Sequence, residues 1–185
     1  MVVAGFDASG QAVFAKAYGD DSNFTLASAM TAMPDGNLLL SGPLSGAIDF
    51  GGGAIAGVPG YLVALSPSGA EVWARPIESS AVTVMAPSKC YVRIAGLAGT
   101  GAKIGNGVIP GEVDPNGFEN GFEAVLSPAG DLLGSQRFVG TTTSIAERPD
   151  ASFLLSGHFA SQLSFGTLSA AGQHSPMSGF LVDAR

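Results

Sequence analysis

The chain has few charged residues, and several chemically reactive residue types are almost absent. Its 185 residues include eight Lys and Arg, fifteen Asp and Glu, two His and one Cys, with a net charge of −7. The eight scattered cations form no basic patch, which argues against nucleic-acid binding. A single cysteine excludes an internal disulfide and any metal site built from several cysteines. No apolar run reaches the roughly 18 residues of a membrane-spanning helix, and the start lacks the basic and apolar segments of a signal peptide.

Glycine, in contrast, is abundant. There are 27 glycines, and 46% of the residues are apolar. That apolar share supports a core and excludes a disordered chain. Glycine at this density disfavours helices, because each helical site costs about 1 kcal/mol, and the glycines do not follow the three-residue period of collagen. The composition therefore predicts an all-β protein with many glycine turns.

The sequence repeats itself about every sixty residues. A nine-residue unit occurs at residues 2–10, 61–69 and 122–130, and its first half recurs at 180–184. A ten-residue block that begins and ends with glycine occurs without gaps at residues 42–51, 96–105 and 157–166. The matched spacing makes chance a poor explanation for the repetition. Repeat architectures show this kind of self-similarity at a fixed period.

Alternating apolar residues between turn residues predict four strands in each repeat, called A to D. A glycine-rich hairpin is expected between strands B and C, and a Ser-Pro-Ser-Gly type turn between C and D. We expect Gly42, Gly51, Gly69 and their copies to lie in turns, several with positive φ. The predicted strands are A at 25–33, 82–86 and 143–147; B at 37–41, 91–95 and 152–156; C at 2–6, 61–65, 122–126 and 180–183; and D at 11–18, 71–77 and 131–138.

Four-stranded antiparallel units at one period are typical of a β-propeller. The sequence thus predicts one domain, 1–185, with about three propeller-like blades at 2–60, 61–121 and 122–179 and a closing strand at 180–185. Closed propellers have roughly four to eight blades. The chain is therefore expected to be part of a longer propeller or to associate with copies of itself. A β-trefoil-like or other three-repeat β fold is the alternative.

Three short motifs follow one another in a fixed order in the first repeat. Strand D carries an aromatic residue, Phe14 and then Trp73 in the next copy; Pro-Asp-Gly-Asn starts at Pro34, and Asp-Phe-Gly-Gly-Gly starts at Asp49. With the nine-residue unit, this order resembles the bacterial seven-bladed β-propeller repeat, often called SBBP. The third copy departs from it, with Gly134 in place of the strand D aromatic. The resemblance covers nearly the whole chain and implies a propeller fold and a secreted or surface-attached bacterial protein without an assigned activity.

The two histidines and the cysteine are interpreted as structural. His158 stands where other copies have Pro43 and Leu97, His174 lies in a loop of variable length, and Cys90 replaces a small turn residue. A catalytic histidine needs an oriented carboxylate, and the Gly-x-Ser-x-Gly nucleophile pattern is absent. We predict no catalytic residue from these positions.

One link is longer in the second repeat than in the others. It carries Asp114, Asn116 and Glu119, three oxygen ligands within six residues, and calcium prefers such ligands. Asp-Pro-Asn-Gly is also an ordinary turn sequence. A plain loop is therefore expected, with a calcium site and a ligand-recognition loop as alternatives. No other cofactor is predicted.

The predicted function is a non-enzymatic binding or scaffold module of an exported bacterial protein, with a protein or glycan ligand. One alternative is a carbohydrate-binding lectin. Another is an enzyme with an acidic site at the propeller mouth, built from Asp35, Asp49 or Asp150. Asp35 and Asp150 also fit a simpler role as turn formers.

The ends of the chain predict an association. The segments 2–6 and 180–183 are copies of the same strand, and the first and last sheets carry apolar residues. Exposed apolar faces and sheet edges recruit partners. We expect these faces to be covered by a second copy of the chain or by further blades, with a self-covering monomer as the alternative.

Overall fold

The structure is a computed structural model that describes residues 1–19, 24–110, 120–150, 152–160, 162–172 and 178–184. These residues form no helix, and 67% of them lie in strands. The predicted all-β class is therefore confirmed. No sheet closes into a barrel within the described ranges, so the barrel that a trefoil would require is not seen there.

Seventeen strands are described. They are β1 (Val2–Phe6), β2 (Ala12–Ala17), β3 (Ala29–Ala32), β4 (Leu38–Pro43), β5 (Ala47–Asp49), β6 (Ala54–Ala56), β7 (Gly60–Leu65), β8 (Glu71–Pro87), β9 (Val92–Ile104), β10 (Gly107–Val108), β11 (Asn120–Leu126), β12 (Leu132–Val139), β13 (Thr141–Glu147), β14 (Phe153–Phe159), β15 (Gln162–Phe165), β16 (Leu168–Ala171) and β17 (Ser178–Ala184).

Consecutive strands of each repeat lie side by side and antiparallel, in the order A to D. Repeat 1 contains β3, β4, β7 and the first part of β8. Repeat 2 contains the second part of β8, then β9, β11 and β12. Repeat 3 contains β13, β14 and β17. Strands β1 and β2, the N-terminal hairpin, correspond to strands C and D. Short hairpins made by β5 and β6, by the end of β9 and β10, and by β15 and β16 lie between strands B and C.

Repeats 1 and 2 are not separate sheets, because β8 runs through both. It covers Glu71–Pro87, and residues 78–81, between the predicted strands D and A, contain neither glycine nor proline. At the next boundary, Gly140 has a φ of 144°, a conformation that favours glycine, and β12 ends there. As a result, one ten-stranded sheet joins repeats 1 and 2, whereas β13, β14 and β17 form their own sheet.

The core is divided into three clusters, each at the junction between one strand group and the next. Every cluster contains a residue from the end of strand D, one from the inserted hairpin of the following repeat and one from its strand C. In the first cluster, the ring centroids of Tyr18 and Phe50 are 5.1 Å apart, and those of Phe50 and Tyr61 are 5.2 Å apart. These recurring positions, most of them aromatic, therefore pack between strand groups. The three sets are Tyr18, Phe50 and Tyr61; Ile77, Ile104 and Phe122; and Phe138, Phe165 and Phe180.

The glycines at the start of the ten-residue block do not lie in turns, so that prediction is wrong. Gly42, Gly96 and Gly157 lie inside β4, β9 and β14. A Cβ on Gly96 would be 1.9 Å from the carbonyl oxygen of Ala81, and the other two positions show 1.7 and 1.9 Å. Close approach of strand A, rather than a turn, requires glycine here. The glycines in the turn of the inserted hairpin and in the C–D turn take positive φ as predicted, for example Gly105 at 57° and Gly69 at 74°.

Candidate functional site

A groove of about 570 Å³ lies where repeat 1 meets repeat 2, and we call it the outer groove. Its walls are the first part of β8, the turn between β9 and β10, and the C–D turn of repeat 2. The lining residues are 74–76, 104–107 and 130–132. The groove is thus built from the inserted hairpin and the turn of one repeat against strand D of the preceding one.

Arg75 forms the floor of the outer groove. Its Nη2 donates to the carbonyl oxygen of Ala129 at 2.7 Å and to Oδ1 of Asp131 at 3.2 Å, while Nη1 donates to the carbonyl oxygen of Ala74 at 3.0 Å. The guanidinium carbon also lies 5.4 Å from the ring centroid of Trp73. The Asp131 side chain is 68% exposed, and an ion pair this open adds little to stability. Its carboxylate is accessible to a ligand.

The contact between an aromatic ring and a turn glycine beneath the groove occurs at two junctions of the fold. A Cβ on Gly130 would be 2.7 Å from the Trp73 ring, and one on Gly69 would be 2.8 Å from the Phe14 ring. In both junctions an aromatic residue of strand D therefore lies directly on the glycine of the following C–D turn. Lys16, the equivalent of Arg75, donates to the carbonyl oxygen of Gly69 at 3.0 Å. The aromatic residue of strand D and the cation two residues after it thus recur in the sequence because both contact the next C–D turn.

Two polar side chains distinguish the outer groove from the earlier junction. Asn106 and Asp131, both exposed, stand where repeat 1 has Gly52 and Ala70. At the earlier junction the Glu71 carboxylate lies over Gly52 and accepts its backbone N–H at 2.9 Å. At the earlier junction the Glu71 side chain thus takes the place above Gly52, whereas the outer groove carries an amide and a carboxylate on its rim.

The outer groove is suited to hydrogen-bonding a polar ligand. A guanidinium donates, a carboxylate accepts, and the Asn106 amide does both. None of the described residues that line it is Ser, Thr, Cys or His. This described lining therefore contains no side-chain pair of the hydroxyl–imidazole or thiol–imidazole type used in nucleophilic catalysis.

The A strands of all three repeats meet at a second groove of about 360 Å³, which we call the inner groove. Ser28 and Thr83 line this groove, and Thr143 is their equivalent in repeat 3. The hydroxyl of each donates to a strand B carbonyl of its own repeat, at 3.2 to 3.4 Å. Ser28 and Thr83 also reach the next A strand, at the carbonyl oxygens of Val82 (3.4 Å) and Thr142 (3.5 Å). These hydroxyls link successive repeats, so they are structural.

A buried ion pair lies between repeats 2 and 3. Arg93 donates through Nη1 to Glu123, and their side chains are only 13% and 5% exposed. The Arg93 guanidinium carbon also lies 4.0 Å from the ring centroid of Phe153. The equivalent residues of repeat 1, Leu39 and Leu62, are fully buried. Two charges thus replace two leucines at the same place in the fold.

Further polar groups surround this pair. Tyr91 donates its hydroxyl to Oε1 of Glu147 at 3.0 Å; burial, followed by the Glu147 carboxylate, raises the pKa of Tyr91. Nε of Arg93 and Oε2 of Glu147 are buried, and neither has a hydrogen-bond partner among the described residues. The sequence search for sites missed this cluster. Aligning the repeats position by position reveals it, because charges then stand opposite leucines.

The three acids of the enzyme alternative each stabilise a turn. Asp35, Asp49 and Asp150 each accept a hydrogen bond from the backbone N–H two residues later, at 3.0, 2.7 and 3.0 Å. The Ser152 hydroxyl and then its N–H lower the pKa of Asp150 by stabilising the carboxylate. The three residues belong to three different turns. Their local role is the one that turn-forming aspartates ordinarily have.

The calcium candidates Asp114, Asn116 and Glu119 lie outside the described residues, as does His174. Elsewhere, the described ranges contain no group of three or more His, Cys, Asp or Glu side chains placed to hold a metal ion. The calcium interpretation of that link therefore stays a prediction.

His158 and Cys90 lie at repeated structural positions. His158 is half-buried in β14, where it is paired with Thr141 and Gly179 of the neighbouring strands. Cys90 is an exposed free thiol in the turn before β9.

Neither a protein-family model nor a curated protein matches the chain. Among the segments that the structure describes, none is a helix with the length and hydropathy needed to cross a bilayer.

Proposed function

We propose that this chain is a propeller-type repeat domain that acts as a non-enzymatic binding module of an exported bacterial protein. The strand order A to D in successive repeats supports the architecture, as do core clusters that lie between one strand group and the next. The meeting of the three A strands at the inner groove is a further support, since propeller blades surround a central channel. Export and bacterial origin rest on the resemblance of the repeat motifs.

The outer groove carries the binding proposal. It lies at the junction of two repeats, and Asn106 and Asp131 place polar groups on it that the earlier junction lacks. Arg75, Asn106 and Asp131 present donors and acceptors together. A glycan, whose hydroxyl groups both donate and accept, is the ligand class that this chemistry favours.

The acidic residues support a binding role over an enzymatic one. Asp35, Asp49 and Asp150 are engaged by their own turns. A general acid or base must instead reach the substrate proton that it transfers.

A glycan array probed with the purified protein tests the proposal. We expect binding to at least one glycan class, and Asn106→Ala should weaken it about five- to tenfold through the loss of one or two hydrogen bonds. The matched control is Thr167→Ala, because Thr167 is the exposed residue at the same turn of the repeat 3 hairpin. This control should bind like the wild type.

Failure of the wild-type protein to bind any glycan would remove the proposed ligand class. Equal weakening by Asn106→Ala and Thr167→Ala would show that the outer groove is not the site. Turnover of a glycan or ester substrate that disappears in Asp49→Asn would instead support the enzyme alternative.

A further inference from the structure

The two ends of the stack of strand groups present apolar side chains to solvent. On the outward face of repeat 3, Leu181 is 69% exposed and Leu154 is half-buried; we call this the tail face. On the outward face of the N-terminal hairpin, Val2 and Phe6 are 70% and 65% exposed; we call this the head face. Large exposed apolar side chains grouped on a sheet face mark an interaction surface.

The tail face is a copy of a surface that is covered inside the chain. Leu154 and Leu181 stand at the positions of Leu39 and Leu62, and the strand registers agree: Ser41 lies opposite Leu62, as the equivalent strand B serine lies opposite Leu181. Leu39 and Leu62 are 0% exposed, because repeat 2 covers them. The tail face therefore has the apolar pattern of a repeat junction and lacks the covering repeat among the described residues.

The head face is the complementary half of the same junction. Val2 and Phe6 occupy the positions at which strand C of each later repeat packs against the repeat before it. The register shift in the pairing of strand C with strand D also recurs: it lies between Gly5 and Phe6 in β1 and at the equivalent position in β7 and β11. All four equivalents in repeats 1 and 2 are 0% exposed: Tyr61, Leu65, Phe122 and Leu126.

The A strands at the inner groove also indicate that a further repeat can pack on the tail face. Ser28 and Thr83 each bridge to a carbonyl of the following A strand. Thr143 makes the equivalent bond within its own repeat, and the described part of the chain supplies no fourth A strand beyond it. Repeat 3 could therefore pack against the A strand of a further repeat in the way that repeats 1 and 2 do.

We propose that the tail face of one copy of this chain docks onto the head face of a second copy, head to tail. The occupant follows from the internal junctions, which show that a surface with the tail pattern is covered by a surface with the head pattern. A contact between two different faces is heterologous, so a docked pair still has one free head face and one free tail face. In a propeller-like arrangement, two copies bring at least six repeats, within the roughly four to eight of closed rings.

The ion pair on the tail face is compatible with this docking. Arg148 and Asp183 pair there with side chains 36% and 35% exposed. Arg93 and Glu123 form an ion pair on the same side of repeat 2, and repeat 3 covers them with Phe153 over the guanidinium. A charged pair at a repeat junction is therefore a feature that the fold already contains.

Sedimentation velocity on the intact chain over a micromolar dilution series tests the proposal. We expect a species of at least twice the 18.5 kDa monomer mass. Leu181→Asp, which blocks the tail face, and Phe6→Asp, which blocks the head face, should each be monomeric. An equimolar mixture of the two variants should associate again, because one variant keeps its tail and the other its head.

Leu133→Asp is the matched control. Leu133 is 64% exposed, much like Leu181, but its equivalents Val13 and Val72 are also exposed, so it belongs to no junction. The control should associate like the wild type, and circular dichroism should show unchanged strand content in all variants. A monomeric wild type would overturn the proposal, as would association that survives Leu181→Asp. Failure of the mixed variants to associate would overturn the head-to-tail geometry.

Discussion

Replacing the buried Arg93–Glu123 pair by leucines tests whether the fold needs charge at that junction. The two side chains are 13% and 5% exposed, so removing one partner leaves the other charge buried without its counterion. We expect Glu123→Leu alone to lower the free energy of unfolding by about 3–5 kcal/mol. The double change to leucine should restore stability to the wild-type value or exceed it by about 1–4 kcal/mol, because Leu39 and Leu62 fill the equivalent positions of repeat 1 with 0% exposure.

Equilibrium urea denaturation of the wild type, both single variants and the double variant gives the coupling energy from a double-mutant cycle. The exposed pair Lys103 and Glu78, 3.1 Å apart with both side chains about 40% exposed, is the control. Its coupling should be below about 1 kcal/mol and should fall with added salt. If Glu123→Leu cost less than about 1 kcal/mol, or if the two single effects simply added, the reasoning from burial would be refuted.

Two further predictions concern backbone packing and pH. Gly96→Ala places a Cβ 1.9 Å from the carbonyl oxygen of Ala81 and should destabilise the protein by about 3 kcal/mol or more. Gly134→Ala, whose Cβ would have no described atom within 4 Å, should change stability by less than about 1 kcal/mol. Thermal unfolding compares the two variants, and similar losses would contradict the close-approach argument. Burial raises the pKa of Tyr61 from 10.0 to about 12. The stabilisation that the neutral Tyr61 side chain gives the folded state is therefore complete below pH 10 and is lost as the pH rises through 12. Urea unfolding across that range should show a fall that Tyr61→Phe reduces, and an unchanged fall would count against Tyr61 as its cause.

The sequence was sufficient to predict the repeats and nearly all strands, since alternation and turn residues are local signals. It did not predict that β8 continues through residues 78–81, because the absence of a turn residue is a weaker signal than its presence. The role of Gly96 was also missed: a strand glycine and a turn glycine look alike until the neighbouring strand is placed.

The candidate site was less predictable than the fold. Asn106 and Asp131 lie in turns whose residues are ordinary taken one at a time, and their meeting across the outer groove depends on how repeat 2 packs on repeat 1. The Arg93–Glu123 pair needed the same information. Both features depend on contacts between residues far apart in sequence, which no local pattern encodes.

The continuous strand β8 has a consequence for how the molecule opens. Its 17 residues hydrogen-bond to β7 at one end and to β9 at the other. Separation of β8 from β7 in repeat 1 therefore also weakens the strand that pairs with β9 in repeat 2. These two repeats thereby form one cooperative opening unit, in the sense used for hydrogen exchange. The strands β13, β14 and β17, which begin after the break at Gly140, have no such shared strand. We therefore expect lower amide protection in β13, β14 and β17 than in the strands that pair with β8.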